Sequence, residues 1–472
     1  MLDNFQQKLR REAQLWRDEG LISSSQYQDL AQRYKFNHLE TSTRDRFRSL
    51  VIVIGGIFVC LGVITFVAAN WRLWSREVKF ILMISLFLST SITGFYIRRE
   101  GQSSNSQQNE KQSKRILGEG LLILSALVLG VNILLMAQIF NVNGSLNELF
   151  LAWGFGVLVM AYSLSLTSLG TMAIILIEIG YWMGRGEFSG FAGEWNWASL
   201  AVRHMPLLSW LLFVPLAYFC RSRWIFVLAA LVFAGTLQLN LNPLPLLNFA
   251  NITPWVASFA LVLPPALFWS YDDLLFPTIN YRLFQPLARN LALIFFALVF
   301  YVLSFRWQWV APTLNSFPSS TTNSWFMSVP IIDLGILSGL AVLQWLSLLR
   351  LRNNPPRREV IFTIGVVTTF LAFIIITPFW HLAITPIAEL GSFIFNVLLA
   401  FLASGLIREG LKLNSRSSFW VGMLLLTLQI ISRAIEYDTD RLFQSLVLFL
   451  CGSALIIAGL WFERRLPAES NS

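Results

Sequence analysis

Charge is the scarcest commodity in this chain. Asp, Glu, Lys and Arg make up 13% of its 472 residues, about half of the roughly 25% usual for a soluble domain. That shortage excludes a water-soluble globule of this size, because the 55% of residues that are hydrophobic must face something other than water. Lipid is the plain answer. A secreted lipid carrier fits less well, since apolar runs recur along almost the whole length. Cysteine is scarce too. Cys60, Cys220 and Cys451 are odd in number and far apart, which suggests no disulfide framework and no metal site. His38, His204 and His381 form no ligand motif, so neither metal nor cofactor is expected. No Walker A run, no HExxH and no Gly-x-Ser-x-Gly occurs, which argues against ATP-driven pumping within the chain. No cleavable signal peptide is visible, because the first apolar run begins only near Leu50, after a long charged segment.

What is present is a succession of bilayer-length apolar runs. A membrane helix needs about 20 mostly apolar residues. Candidates fall at 50–70, 78–97, 117–140, 147–166, 168–184, 205–220, 224–240, 252–270, 286–305, 327–349, 359–379, 387–407, 417–434 and 442–461. The net charge of +9 fits topology better than nucleic acid, since Lys and Arg sit in short clusters between the runs. With fourteen spans and the N-terminus inside, 27 of the 35 basic residues fall on the cytoplasmic side and 8 outside, as the positive-inside rule requires. Trp71, Trp182, Trp307, Trp309 and Trp380 then lie at outer helix ends, and Trp224, Trp420 and Trp461 at inner ends, where aromatic rings favour the interface. The expected fold is therefore all-α: a polytopic transmembrane bundle of about fourteen spans with both termini cytoplasmic. It divides into residues 1–46 (a small cytoplasmic helical hairpin), 47–465 (the multi-span domain) and 466–472 (a tail).

In the N-terminal part, residues 3–19 suit a helix that Gly20 stops in a left-handed conformation. Ser25, three residues before Gln28, has capping-box spacing and opens a second helix through about Lys35. This hairpin is too small to build a full core, so it is expected to pack on a protein partner or on the membrane domain. Residues 101–114, GQSSNSQQNEKQSK, are polar and read as a flexible loop. The long outer loop at 185–204, with Phe188, Phe191, Trp195 and Trp197, suits a segment lying on the membrane surface or a packed cap over the bundle.

The stretch Leu15-Trp-Arg-Asp-Glu-Gly-Leu-Ile-Ser23, running on to Tyr34, precedes an apolar run that starts at Gly55-Gly56 and closes with Ala68-Ala69-Asn70-Trp71. This combination resembles the bacterial family known as domain of unknown function 2157, predicted membrane proteins with a short N-terminal helical segment. At motif level the resemblance covers roughly the first 100 residues. It implies a bacterial-type protein of the cell membrane and brings no activity and no functional residues.

Ionisable groups inside a bilayer are costly and so are candidates for function. Glu178 lies about ten residues into the fifth run, roughly 15 Å deep at 1.5 Å per residue, and reads as a proton or cation site or as a carboxylate paired with an Arg. Asp333 and Glu389 lie just inside outer helix ends, and with Asn396 they would line an outward-facing cavity if they converge. Glu119, four residues after Arg115, suits an ion pair at the inner boundary. Pro215, Pro264 and Pro265 fall inside runs and should kink or break them, as in transporters with broken helices. Gly335 and Gly339 have the spacing of a close helix contact. Three function classes follow: a secondary transporter or lipid/polymer translocator; a non-enzymatic scaffold or sensor that binds a partner through residues 1–46; and, weakest, an enzyme using outer carboxylates with Arg433 and Arg441. No paired acid/base spacing supports the last.

Overall fold

The computed structural model describes residues 12–33, 58, 62, 65, 69, 74–103, 108–141, 144–188, 196–241, 254–272, 284–310, 331–350, 358–437 and 440–465. Every regular element among them is helical. The chain falls into two compact units, residues 1–86 and 87–472.

In the first unit, residues 12–18 form α1, and α2 spans Ser24–Arg33. Gly20 stops α1 with φ of 77°, while the amides of Gly20 and Leu21 donate to the carbonyls of Arg17 and Trp16. Ser23 caps α2: its amide donates to Gln26 Oε1 at 2.9 Å, and its Oγ accepts from the Gln26 amide at 3.2 Å. The box is thus Ser23–Gln26 and not Ser25–Gln28. Both pairs have the right spacing, and the turn at Gly20 brings the chain into register for the first. Ala13 is buried against Trp16, Tyr27 and Ala31. The outer limits expected for the hairpin, its boundary at 46/47 and the tail 466–472 lie outside the described residues.

The following helices are α3 (Arg76–Ser103), α4 (Gln108–Ile139), α5 (Leu146–Leu164), α6 (Thr167–Phe188), α7 (Trp197–Arg203), α8 (Met205–Phe219), α9 (Arg223–Leu241) and α10 (Pro254–Ser270). Then come α11 (Gln285–Leu303), a 3₁₀ turn at Arg306–Gln308, α12 (Ile331–Arg350), α13 (Arg358–Ala383), α14 (Ala388–Leu413), α15 (Arg416–Glu436) and α16 (Arg441–Arg465). Ten of these are long and apolar enough to cross a membrane; α7 and α8 together make one bent candidate, and α10 and α12 are shorter apolar helices. The candidate at 50–70 lies outside the described residues except 58, 62, 65 and 69, which are helical. Most of the polar stretch 101–114 is helix and not loop: α3 runs to Ser103 and α4 starts at Gln108. Gln, Glu and Lys are good helix formers, and a helix of 32 residues is about 48 Å long, well beyond the roughly 30 Å hydrocarbon layer.

Prolines do not interrupt the chain where the sequence suggests. Helix α8 runs through Pro215 and α10 through Pro264 and Pro265. The break falls at His204, where α7 and α8 meet at 81°. A crossing α8 therefore leaves α7 close to the membrane plane, with Trp197 and Leu200 exposed and Ala198, Ala201 and Val202 buried.

Inside the second unit, side chains fill two apolar cores. One is built from α5, α6, α8, α9 and α10 around Tyr181, Phe213, Phe226 and Phe233; the other, from α11, α13 and α14, centres on Phe296, Phe300 and Phe395. The outer surface is just as apolar. Along α16, Leu442, Phe449 and Ile457 are 78%, 70% and 67% exposed, a surface that water would not tolerate and lipid does.

Close helix approach uses small residues, since apolar burial drives nothing in lipid. A methyl group on Gly154 would lie 2.5 Å from Ile177 Cγ1 and 2.9 Å from the Ile177 amide nitrogen, and one on Gly180 would lie 3.0 Å from the Leu151 amide. Gly410 and Gly422 serve the α14–α15 contact in the same way. Gly335 and Gly339 do not: among the described residues nothing stands within 4 Å of a methyl group at either. The expected pair of Arg115 and Glu119 is present at 3.2 Å. Gly154→Val is expected to cost about 1–3 kcal/mol by overpacking and to lower the thermal transition in detergent. Gly339→Ala should leave that transition in place; equal effects from the two would contradict this assignment of the contacts.

Candidate functional site

Two polar gatherings lie where helices end or break. The first is at the α7–α8 break. His204 Nδ1 and Asp333 Oδ1 are 2.7 Å apart, with Asp333 fully buried. At this bend Asn240 Nδ2 donates to the carbonyls of Val202 and Arg203, at 3.1 and 3.0 Å. Asn240 Oδ1 in turn accepts from the Tyr181 hydroxyl at 2.7 Å. Glu178 stands one turn before Tyr181 on α6, and its Oε1 is buried without a hydrogen-bond partner among the described residues, as are Asp333 Oδ2 and Arg203 Nε.

The second gathering is at the C-terminus of α11. The last carbonyls of a helix lack intrahelical partners. Here the Ser304 carbonyl accepts from Asn396 Nδ2 at 3.0 Å and from Arg433 Nη1 at 2.7 Å. Asn396 also donates to the Ser392 carbonyl, and Gln429 Nε2 donates to the Asn396 carbonyl at 2.7 Å and to its Oδ1 at 3.2 Å. The following turn is pinned by Trp309, whose indole N–H reaches the Leu303 carbonyl at 2.7 Å and whose ring stacks on Phe395 and lies against Gly391. That seat places Arg306 between two carboxylates. Its amide donates to Glu436 Oε1 at 2.7 Å, and its guanidinium lies 3.1 Å from Glu389. Arg433 pairs with Glu436 and covers the Phe305 ring at 4.3 Å.

This end of the bundle is open. A cavity of about 510 Å³ is lined by Arg306, Glu389, Ser392, Asn396, Arg433 and Tyr437 among others. An apolar groove of about 440 Å³ runs beside it between α14, α15 and α16, along Ala400, Leu426, Ile430, Phe443 and Val447. The two share Arg433 and Tyr437. Arg433 is 15% exposed, and its Nε and Nη2 are buried without partners among the described residues.

The four residues singled out in the sequence therefore divide. Glu389 and Asn396 line one cavity. Asp333 is held by His204, and Glu178 belongs to the neighbourhood of Tyr181. Sequence reasoning missed Gln429, Glu436, Arg306 and His204 as members. A faint signal existed for Glu436, three residues after Arg433 and on its helix face. His204 and Asp333 are 129 positions apart, and no spacing announces them. No group of three His, Cys, Asp or Glu side chains that could hold a metal occurs among the described residues.

Removing one member of a buried pair strands the other. Asp333→Ala is expected to cost about 3–5 kcal/mol and to lower the thermal transition. His204→Ala/Asp333→Ala together should cost less than the sum of the single changes by about 1 kcal/mol or more; strict additivity would show that the contact is not coupled.

Residues 14–170, about a third of the chain, match the family described as predicted membrane protein (DUF2157). The resemblance seen in the first hundred residues thus holds, and it extends through α5 to the start of α6. No curated protein and no solved structure matches the chain.

Proposed function

We propose that this membrane protein binds an amphiphilic molecule at the outer end of its bundle, as a lipid or lipid-linked polymer translocator. In this reading the chain crosses the cell membrane fourteen times with both termini cytoplasmic, which places the cavity in the outer leaflet. The observation that carries it is a cavity bearing charged and amide groups beside an apolar groove, the two sharing Arg433 and Tyr437 as lining residues. An amphiphile needs such a pair: a few placed polar groups for its head and an apolar wall for its tail. The filled cores around Tyr181 and Phe296 favour this over an ion conduit through the middle of the bundle. Transporter-like features support it further. The chain bends by 81° at His204, where an apolar run begins, and half of the four candidates, Glu389 and Asn396, line the cavity.

The groove gives the test. Ile430 lines it, and Ile430→Trp should fill it with little effect on the packed cores. In native mass spectrometry of the full-length protein released from detergent, phospholipid adducts retained by the wild type should fall about tenfold in the variant, as expected for a site that loses roughly 1.4 kcal/mol. Unchanged adducts together with an unchanged thermal transition would refute the proposal.

A further inference from the structure

The charges around the cavity narrow the class of ligand, an inference that rests on the amphiphile reading above. We propose that the head bound here is a zwitterionic phosphate ester, its phosphate held by Arg433 and its ammonium by Glu389, with the tail along the α14–α16 groove.

Three observations converge on this. Both signs line the cavity: Arg306 and Arg433 with Glu389, while Glu436, outside the lining, pairs with Arg433 and Glu389 pairs with Arg306. A purely anionic head would meet Glu389 in the same cavity, and a purely cationic one would meet two guanidiniums. A head carrying both signs is complementary to both. The donors of Arg433 point to the phosphate. Its Nη1 is engaged by the Ser304 carbonyl and Glu436, while Nε and Nη2 have no partner among the described residues. Those two nitrogens form one edge of the guanidinium, and their parallel N–H bonds match two oxygens of a phosphate. Both are closed to solvent, where an unmatched donor is costly. Binding requires a rotation of the Arg433 side chain that brings this edge to the cavity wall and exchanges its Nη1 contacts with Ser304 and Glu436 for the phosphate.

Glu389 supplies the other pole. Its side chain is 81% exposed and paired with an Arg306 side chain that is itself 56% exposed, a contact that solvent screens and that an ammonium can share. The distance between the poles is set by the fold: Glu389 lies in the first turn of α14 and Arg433 in the last turn of α15, and Arg306 bridges the two helices.

The experiment uses full-length protein stripped of lipid in detergent. It is titrated with a short-chain ethanolamine phospholipid, the matching glycerol phospholipid, and water-soluble glycerophosphoethanolamine. Wild-type protein should bind the ethanolamine lipid about tenfold more tightly than the glycerol lipid and the soluble head weakly. Glu389→Gln, an exposed change that leaves the thermal transition in place, should bring the two lipids within about twofold of each other. Arg433→Lys keeps the charge and loses the paired donors, so both lipids should weaken about tenfold. A wild-type preference for the glycerol lipid, or a preference that survives Glu389→Gln, overturns the assignment of the head. Equal binding of the soluble head and the lipid overturns the lipid source. Equal binding of both lipids that Ile430→Trp abolishes sinks this inference and leaves the amphiphile reading standing, whereas binding that Ile430→Trp does not touch sinks both. Should Arg433→Lys fail to fold, the Glu389→Gln comparison decides alone.

Discussion

Hydrocarbon offers a backbone no hydrogen bonds, and that constraint organises the molecule. Within the bilayer the chain must be helical, and wherever a helix ends or breaks away from water, its last carbonyls need donors. Both polar gatherings are answers to that demand. Asn240 meets the carbonyls of Val202 and Arg203 at the His204 break, and Asn396 and Arg433 meet that of Ser304 at the end of α11. Buried polar side chains collect at these two places because the backbone calls for them, and further ionisable groups follow: Asp333 with His204, Glu436 with Arg433.

The two places then differ in what surrounds them. At the break, neighbouring side chains close over Asp333, so the pair works as a fastening between α8 and α12. At the end of α11, the helices splay enough to leave a cavity and a groove. Arg433 belongs to both roles there. One nitrogen caps a helix and meets a carboxylate, and the opposite edge has no acceptor among the described residues. The polar lining of the cavity thus grows out of a structural necessity, the capping of a helix end.

Much of this was legible in the sequence, and the limits are physical. Run length and the alternation of Lys and Arg reveal helices at bilayer spacing, because the cost of exposing backbone and charge to lipid is large and local. Ten helices meet the length and hydropathy expected of spans. The break at His204 was not legible: Pro215 carries the usual signal for one, yet α8 absorbs it, and what bends the chain is supported by Asn240 and Asp333 from elsewhere. Gly335 and Gly339 have contact spacing but no described neighbour, whereas Gly154 and Gly180 touch α6 and α5 without any motif. Spacing along one helix cannot say which face meets another. The cavity was half legible, through Glu389 and Asn396, because depth can be counted along a run. Arg433 could be named with the outer carboxylates from its position along the chain, but its contact with Asn396's neighbours, like the parts of Arg306 and Gln429, becomes visible only when the elements are placed.

A cavity at one end of the bundle requires two opposite faces. Residues at the α14–α15 connection must lie across the membrane from those at the α15–α16 connection. Leu413 and Tyr437, both well exposed, mark the two. With the three native cysteines replaced, single cysteines at these positions can be treated in intact cells with a membrane-impermeant maleimide. Tyr437→Cys should label at once and Leu413→Cys only after permeabilisation; labelling of both from the outside, or of Leu413→Cys alone, would contradict the arrangement on which the site rests.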